Sequence, residues 1–320
     1  MQNPDKTPFH IAFGVDAHYF RAMGVAMISI IENNRDENLV FHLFASLVSD
    51  DDQKKLHCIE ADHGVAIVVH IIDPSAFDEY VKFPSFSQYS AAIFTRLLIP
   101  NALRGVADKV LYLDSDILCI GGITELMAMD ISDSIVAVVH DNGVETVRRQ
   151  CESLNLQDGR YFNSGVLLIN IDNWISSDIT RNTMRTLLLS SQKFIFPDQD
   201  ALNVVLDGKA KFIAEKWNFQ YNLNSFLNAG SFSVDGMGDA VFVHFTGRVK
   251  PWHDWSLHEA RTLFVKYQLL SPWAGMPLDA PKNHKEMRLF SQFLAVQGHK
   301  IRAALWFAKY LVEKLTMKSD

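Results

Sequence analysis

The chain has 320 residues, 48% of them hydrophobic, and a formal net charge of −7. That length and apolar content suffice for one large α/β domain or a main domain with an appendage, and the acidic balance excludes a general polyanion binder, so no nucleic acid is expected as a partner. Three cysteines, Cys58, Cys119 and Cys151, without a C-x-x-C spacing, argue against a disulfide framework or structural zinc and favour a reducing compartment.

The first ten residues, MQNPDKTPFH, carry no basic segment followed by an apolar stretch, so no secretion signal is expected. HIAFGV (10–15) reads as a buried strand and 19–31 as a helix. LVFHLFAS (39–46) is a strand, DDDQKKLHCIEA (50–61) a helix and VAIVVHII (65–72) a strand. SAAIFTRLLIP (90–100) reads as a helix stopped by Pro100, followed by strands at 109–113 and 134–139. Continuous apolar strands alternating with helices predict an α/β fold with a Rossmann-like, mixed but mostly parallel sheet covered on both faces. Beyond 145 the pattern is less regular: a strand at 165–171, a helix opened by Pro197, and a short strand at 240–245. Helices follow at 256–270, 284–296 and 299–316, with Pro272, Pro277 and Pro281 marking a linker. This divides the chain into residues 1–270 and a small helical appendage, 271–320. No run of about 18 apolar residues predicts a membrane span.

The strand KVLYL runs into Asp114-Ser115-Asp116. Ligands of open α/β sheets bind beyond the carboxyl ends of strands. If the strand geometry continues, two carboxylates two positions apart point to one face and can hold Mg²⁺ or Mn²⁺. The plainer reading is a turn or a helix cap. Asn163-Ser164-Gly165 stand just before a buried strand, where small residues let a ligand approach the backbone. Asp198, Gln199 and Asp200 open a helix, where acidic residues often serve only as caps. His244, Gly247 and Lys250 follow an apolar strand and suit a metal ligand, a close-approach residue and a phosphate counter-charge. A lone histidine is more often structural. No G-x-G-x-x-G follows the first strand, which disfavours a nicotinamide dehydrogenase.

Six blocks, IAFGVDAHY, AIFTRLLIP, KVLYLDSDIL, YFNSGVLLIN, PDQDALN and HFTGRVKPWH, occur in the order and rough spacing of glycosyltransferase family 8. The chain resembles that family from Phe9 to Trp255, and YQLLSPWAGMPLDAP with the basic helices after it looks like the C-terminal extension of its lipopolysaccharide core transferases. The resemblance implies a nucleotide-diphospho-sugar transferase fold of the GT-A type. It implies that Asp16, with the backbone of Gly14 and Val15, reads uracil, that Tyr19 stacks on it, and that Arg96 approaches the diphosphate or sugar. Asp114 would bind ribose and metal, with Ser115 beside it. Asp116 would bind the metal bidentately and His244 would complete a Mn²⁺ (or Mg²⁺) site. Asp141, Asn163 and Ser164 would face the donor sugar, Asp198 and Gln199 would lie beside the reacting carbon, and Gly247 and Lys250 would hold the diphosphate.

The implied reaction moves glucose or galactose from UDP-glucose or UDP-galactose to a lipid-linked core oligosaccharide with retention of configuration. Two routes stay open, a front-face substitution and a covalent intermediate on Asp198. Competing readings are a family-8 transferase with another acceptor, a UDP-sugar hydrolase, and a non-catalytic binding protein. The intact set Asp114, Asp116, His244 and Lys250 argues against the last.

Residues 281–320 carry eight Lys/Arg against Glu286, Glu313 and Asp320, a net +5 that leaves −12 on the rest. Within 299–316, Ile301, Ala304, Leu305, Ala308, Val312 and Leu315 form one stripe, widened by Trp306, Phe307 and Tyr310 and flanked by Lys300, Arg302, Lys309 and Lys314. Such a helix either packs on the domain or lies on an anionic lipid surface. With the resemblance, the second reading places the protein on the cytoplasmic face of the inner membrane as a peripheral protein.

Overall fold

The computed structural model describes residues 6–77, 91–190, 194–224 and 237–316. Ten strands are present among them: β1 (Phe9–Gly14), β2 (Leu39–Ala45), β3 (Ala66–Ile71), β4 (Lys109–Leu113), β5 (Ile117–Cys119), β6 (Val136–His140), β7 (Phe162–Asn170), β8 (Lys211–Phe212), β9 (Phe219–Gln220) and β10 (Phe242–His244). Seven form the main sheet in the order β3-β2-β1-β4-β7-β6-β8, and β5-β10-β9 form a small second sheet. β7 runs antiparallel to both neighbours, while β3-β2-β1-β4 and β6-β8 are parallel. The sheet is thus mixed and mostly parallel, as the apolar strands imply.

Alternation along the strands builds two cores. Ile11, Phe13, Leu111 and Leu113 point to one face, with helices Phe20–Asn33 and Ala260–Leu269. Ala12, Val110, Tyr112 and Leu167 point to the other, with helices Ile171–Ser176 and Pro197–Val205. Both faces are therefore covered, which is why most strand positions are apolar.

The expected helix at 90–100 takes a different form. Ser90 lies outside the described residues, and Ala91–Leu97 is a 3-10 helix. Pro100 does not stop a helix but sits in the first turn of a short one, Ile99–Ala102, where its missing N–H costs nothing. The helix expected from 256 begins at Ala260, and the strand expected from 165 begins at Phe162.

The linker is docked, not loose. Trp273 is buried against Gly24, where a Cβ would come within 2.2 Å of the indole. This accounts for a glycine inside a helix, which otherwise costs about 1 kcal/mol relative to alanine. Arg21 donates to Pro277 O at 2.7 Å and to Asp279 Oδ1 at 3.0 Å. Phe290, Phe293 and Leu294 of helix His284–Val296 join the first core. Helix Lys300–Thr316 buries Ala303 and Tyr310 and turns the predicted stripe outward. Ile301, Leu305, Val312 and Leu315 are 80, 61, 64 and 68% exposed.

Three histidines are held neutral by burial, which pushes the pKa values of His42, His253 and His258 down to about 4. A histidine in the unfolded chain titrates near about 6.5, so between the two values the unfolded state binds more protons. Their stabilising effect is complete above the unfolded value and is lost as pH falls through this window. We expect the urea midpoint to fall steadily from about pH 7 to about pH 5, and His42→Gln to flatten that slope. A pH-independent midpoint would contradict the assignment.

Candidate active site

Strand order reverses between β1 and β4: the chain builds outward through β2 and β3 and then returns to β1's other side. The crevice beyond the carboxyl ends at such a reversal is where open α/β sheets bind ligands. Gly14-Val15-Asp16 and Asp114-Ser115-Asp116 both leave the sheet there. β7, running the other way, brings its first residues to the same edge.

Asp114 and Asp116 converge, although not by continued strand geometry. β4 ends at Leu113, and the chain turns through Ser115 and Asp116 into β5. The buried Ser115 points its hydroxyl at Gly14 O, 3.4 Å away. β5 pairs with β10, which sets Ile117 opposite His244, and Phe245 N donates to Asp116 O at 3.0 Å. The second sheet thereby delivers His244 to the carboxylates. His244 Nε2 lies 3.2 Å from Asp116 Oδ1 and 3.8 Å from Asp114 Oδ2. One ligand atom from each of Asp114, Asp116 and His244 lies within 4.8 Å of the others.

The donor set fits a divalent cation. Asn218 Nδ2 donates to Asn163 Oδ1 at 2.9 Å, which turns Asn218 Oδ1 toward His244 Nδ1 at 3.0 Å. Nδ1 then carries the proton and Nε2 presents its lone pair to the Asp116 carboxylate. Two acceptors facing each other at 3.2 Å require a positive charge between or upon them. An outer hydrogen bond that fixes the tautomer is the usual support of a metal-bound imidazole. Asn218 carries no motif in the sequence, and only the fold reveals it.

Lys250 is buried and donates to Asp116 Oδ2 and to Phe245 O, both at 2.6 Å. Burial opposes the charge on each partner. Lys250 nevertheless depresses the Asp116 pKa below the ordinary carboxylate value, and Asp116 raises that of Lys250. Gly247 adopts φ +81°, a turn conformation suited to glycine, with a Cβ position 3.0 Å from Asn222 Oδ1.

Arg96 is the second organising cation. Its guanidinium donates to Asp114 Oδ1 (2.8 Å), Ser164 O (2.7 Å) and Ser164 Oγ (2.8 Å), and it pairs with Asp198 Oδ2 (3.0 Å). Nε donates to Ile93 O at 2.9 Å. Burial works against its charge, but Asp114 and Asp198 outweigh it and hold Arg96 protonated. Each of its three nitrogens donates to a protein group, which fixes Asp114, Ser164 and Asp198 relative to one another. Tyr112, absent from the sequence expectations, donates its hydroxyl to Asp114 Oδ1 at 2.5 Å.

Asn163-Ser164-Gly165 lie inside β7, not before it. The β6–β7 register jumps from Val138↔Leu167 to Val139↔Asn163, a bulge that frees Ser164 and Gly165 from β6. Gly165 leaves room for an imidazole and not, as expected, for a ligand: a Cβ there would lie 2.2 Å from His244 Cε1. Gln199 Oε1 accepts from Asn163 Nδ2 (3.2 Å) and Ser164 N (3.1 Å), and its Nε2 donates to Asp141 Oδ2 (3.2 Å). Asp198 also accepts from Ser164 Oγ at 3.1 Å, and burial raises its pKa despite Arg96. Asp200 is a structural cap, accepting from Ile195 N, Phe196 N, Gln150 and Tyr161.

Val15 N donates to Phe44 O at 3.0 Å, and Gly14 packs so closely that a Cβ would overlap Thr95. Asp16 Oδ1 accepts from His18 N (2.9 Å) and Tyr19 N (3.2 Å), and Tyr19 stands edge-on to Trp252 with ring centroids 5.7 Å apart. The predicted site residues thus fall into three groups: Gly14 to Tyr19, the Asp114–Asp116–His244–Lys250 cluster with Gly247, and the hydrogen-bonded network of Arg96, Asn163, Ser164, Asp198, Gln199 and Asp141.

The sequence model of glycosyl transferase family 8 matches residues 10–256, and that of the family 8 C-terminal region matches 260–314. The chain belongs to glycosyltransferase family 8. Family-8 relatives include a lipopolysaccharide 1,3-galactosyltransferase of Salmonella typhimurium, 31% identical over 98% of this chain and 94% of the relative. A lipopolysaccharide glucosyltransferase of Escherichia coli is 30% identical over 95% of this chain and 91% of its own length. Among solved structures, the galactosyltransferase LgtC in complex with donor and acceptor sugar analogs superposes with a TM-score of 0.71 at 25% identity, covering 82% of this chain and 96% of that one. The mixed sheet of this family-8 chain is thus a GT-A glycosyltransferase fold.

Gly165→Ala tests the packing of the site. The added methyl must displace the His244 ring, which costs about 1–3 kcal/mol of stability for an overpacked core position. We expect a lowered melting temperature and a loss of Mn²⁺-induced stabilisation. A variant with native melting behaviour and native Mn²⁺ response would overturn the reading.

Proposed function

We propose that this enzyme transfers glucose or galactose from UDP-glucose or UDP-galactose to a lipopolysaccharide core oligosaccharide, retaining the anomeric configuration. The carrying observation is the convergence of Asp114, Asp116 and His244 beside Lys250, at the sheet's reversal point. The activities of the relatives, lipopolysaccharide galactosyl- and glucosyltransferases that match nearly the whole chain, support the substrate class.

In this reading Asp114, Asp116 and His244 hold Mn²⁺ or Mg²⁺, which when bound supplies Lewis-acid stabilisation of the leaving diphosphate. Gly14, Val15, Asp16 and Tyr19 take the uridine, and Gly247 and Lys250 the diphosphate. Asp141, Asn163, Ser164 and Gln199 line the donor sugar. The acceptor hydroxyl attacks the anomeric carbon as the bond to the diphosphate breaks, and a phosphate oxygen takes the hydroxyl proton. The commitments of Asp198 to Arg96 and Ser164 favour this front-face route over a covalent intermediate, because a carboxylate held by two donors is a poor nucleophile. Lys250 stabilises charge that grows in the transition state, a contribution of about 3 kcal/mol per such group.

The outward stripe of helix Lys300–Thr316 is the membrane contact in this proposal. Exposed Ile301, Leu305 and Val312 sit between Lys300, Arg302 and Lys309, a pattern that matches an anionic lipid surface. Among the described residues no helix is long and apolar enough to cross a membrane. In this proposal the protein lies on the cytoplasmic face of the inner membrane, where it meets its lipid-linked acceptor.

UDP release from both donors, with and without delipidated core acceptor, tests the reaction. It should require acceptor, stop with EDTA, and fall about 100-fold in kcat with Lys250→Met. Release indifferent to metal and acceptor would sink the proposal. For the tail, Leu305→Ser with Val312→Ser should weaken sedimentation with phosphatidylglycerol vesicles by about tenfold, while transfer to soluble acceptor stays unchanged. Equal sedimentation of variant and parent would remove the membrane role.

A further inference from the structure

A cavity of about 430 Å³ opens between the loop after β10 and the two C-terminal helices. Four cations line it: Arg248 from the loop, Lys285 and Arg288 from helix His284–Val296, and Lys314 from helix Lys300–Thr316. No carboxylate lines it, and among the described residues none of the four cations is in an ion pair, in a chain of net charge −7. Glu286, the nearest acidic residue on that helix, is turned back on Lys282 N and Asn283. Two of the cations reach Tyr310, whose ring lies 5.9 Å from the Arg288 guanidinium and whose hydroxyl accepts from Lys314 Nζ at 3.1 Å. Gathering like charges in one concavity costs free energy unless an anion offsets it.

Two further atoms sharpen the chemistry. Asn224 Oδ1 and His284 Nδ1, both on residues lining this cavity, are buried without a hydrogen-bond partner among the described residues. A buried unpaired polar atom is costly and points to a missing partner. The four cations call for an anion, but Asn224 Oδ1 is an acceptor and calls for a hydroxyl donor. A phosphorylated sugar supplies both. Arg248 ties the cavity to the site through the chain, standing next to Gly247 and two positions before Lys250 in one short loop.

We propose that this cavity is an acceptor subsite that binds a phosphate group carried by the acceptor saccharide, with Arg248, Lys285, Arg288 and Lys314 on the phosphate and Asn224 on a sugar hydroxyl. The inference rests on the reading that the acceptor is a core oligosaccharide. It divides the C-terminal helices into two surfaces: the buried side of helix Lys300–Thr316 helps to select the acceptor, and the outward side meets lipid.

The test pairs binding with kinetics in the full chain and in Lys285→Gln/Arg288→Gln, whose side chains are exposed. With UDP and Mn²⁺ saturating the donor site, calorimetric titration with glucose 6-phosphate should show binding that glucose lacks and that weakens about tenfold or more in the variant. Transfer to a delipidated core oligosaccharide should show a KM about tenfold lower for the phosphorylated form than after phosphatase treatment, a difference the variant abolishes with kcat unchanged. Equal binding of glucose 6-phosphate by both proteins, or a wild-type KM blind to the phosphate, overturns the subsite. If neither oligosaccharide accepts hexose, the acceptor reading fails and the calorimetric comparison alone decides. Lost binding to phosphatidylglycerol vesicles with unchanged glucose 6-phosphate binding would assign the cations to the membrane and overturn the proposal.

Discussion

The Asp116 carboxylate is the point on which the site turns. It is mostly withdrawn from water, and it is shared between the Lys250 ammonium on one oxygen and the His244 ring on the other. A buried charge stripped of its partner costs about 3–5 kcal/mol, so these three side chains stand or fall together. They come from positions 116, 244 and 250, and nothing local brings Asp116 near the other two. What does so is the pairing of β5 with β10, a three-residue antiparallel ladder.

The surrounding residues serve that convergence. Gly165 gives the imidazole its space, and the β7 bulge puts Gly165 there. Asn218 sets the tautomer. Arg96 does for Asp114 what Lys250 does for Asp116, and it extends the same charge balance to Asp198 and Ser164. Two buried cations thus hold three carboxylates in fixed orientation. An electrostatic site built this way is preorganised: its charges do not have to reorient as the reaction creates charge on the leaving group. The cost of burying polar groups is met by the two large apolar cores on either face of the sheet.

Much of this was legible in the sequence because it rests on local signals. Apolar runs bounded by turns located the strands, and the carboxylate pair after KVLYL located the sheet edge where ligands bind. The family resemblance then gathered residues that spacing alone leaves apart. Geometry that depends on tertiary contact was not legible. Asp114 and Asp116 share a face because a turn brings them there, whereas extended alternation was the expected cause. Gly165 reads in the sequence as an opening for ligand, yet its neighbour is a histidine 79 positions away in the chain. The run AAIFTRL has the composition of an α-helix but tightens to a 3-10 helix, packed where Thr95 fills the space beside Gly14. The amphipathic pattern of the last helix fits either of two faces turned inward, and only the burial of Ala303 and Tyr310 shows which one is.

The central claim is that one imidazole and two carboxylates surround a single cation whose open side meets the diphosphate. Pulsed electron paramagnetic resonance of the Mn²⁺-loaded protein with UDP addresses it most directly. The account predicts nitrogen modulation from one imidazole, absent in His244→Ala, together with phosphorus coupling from UDP. Phosphorus coupling with no imidazole nitrogen in the unaltered protein would contradict it.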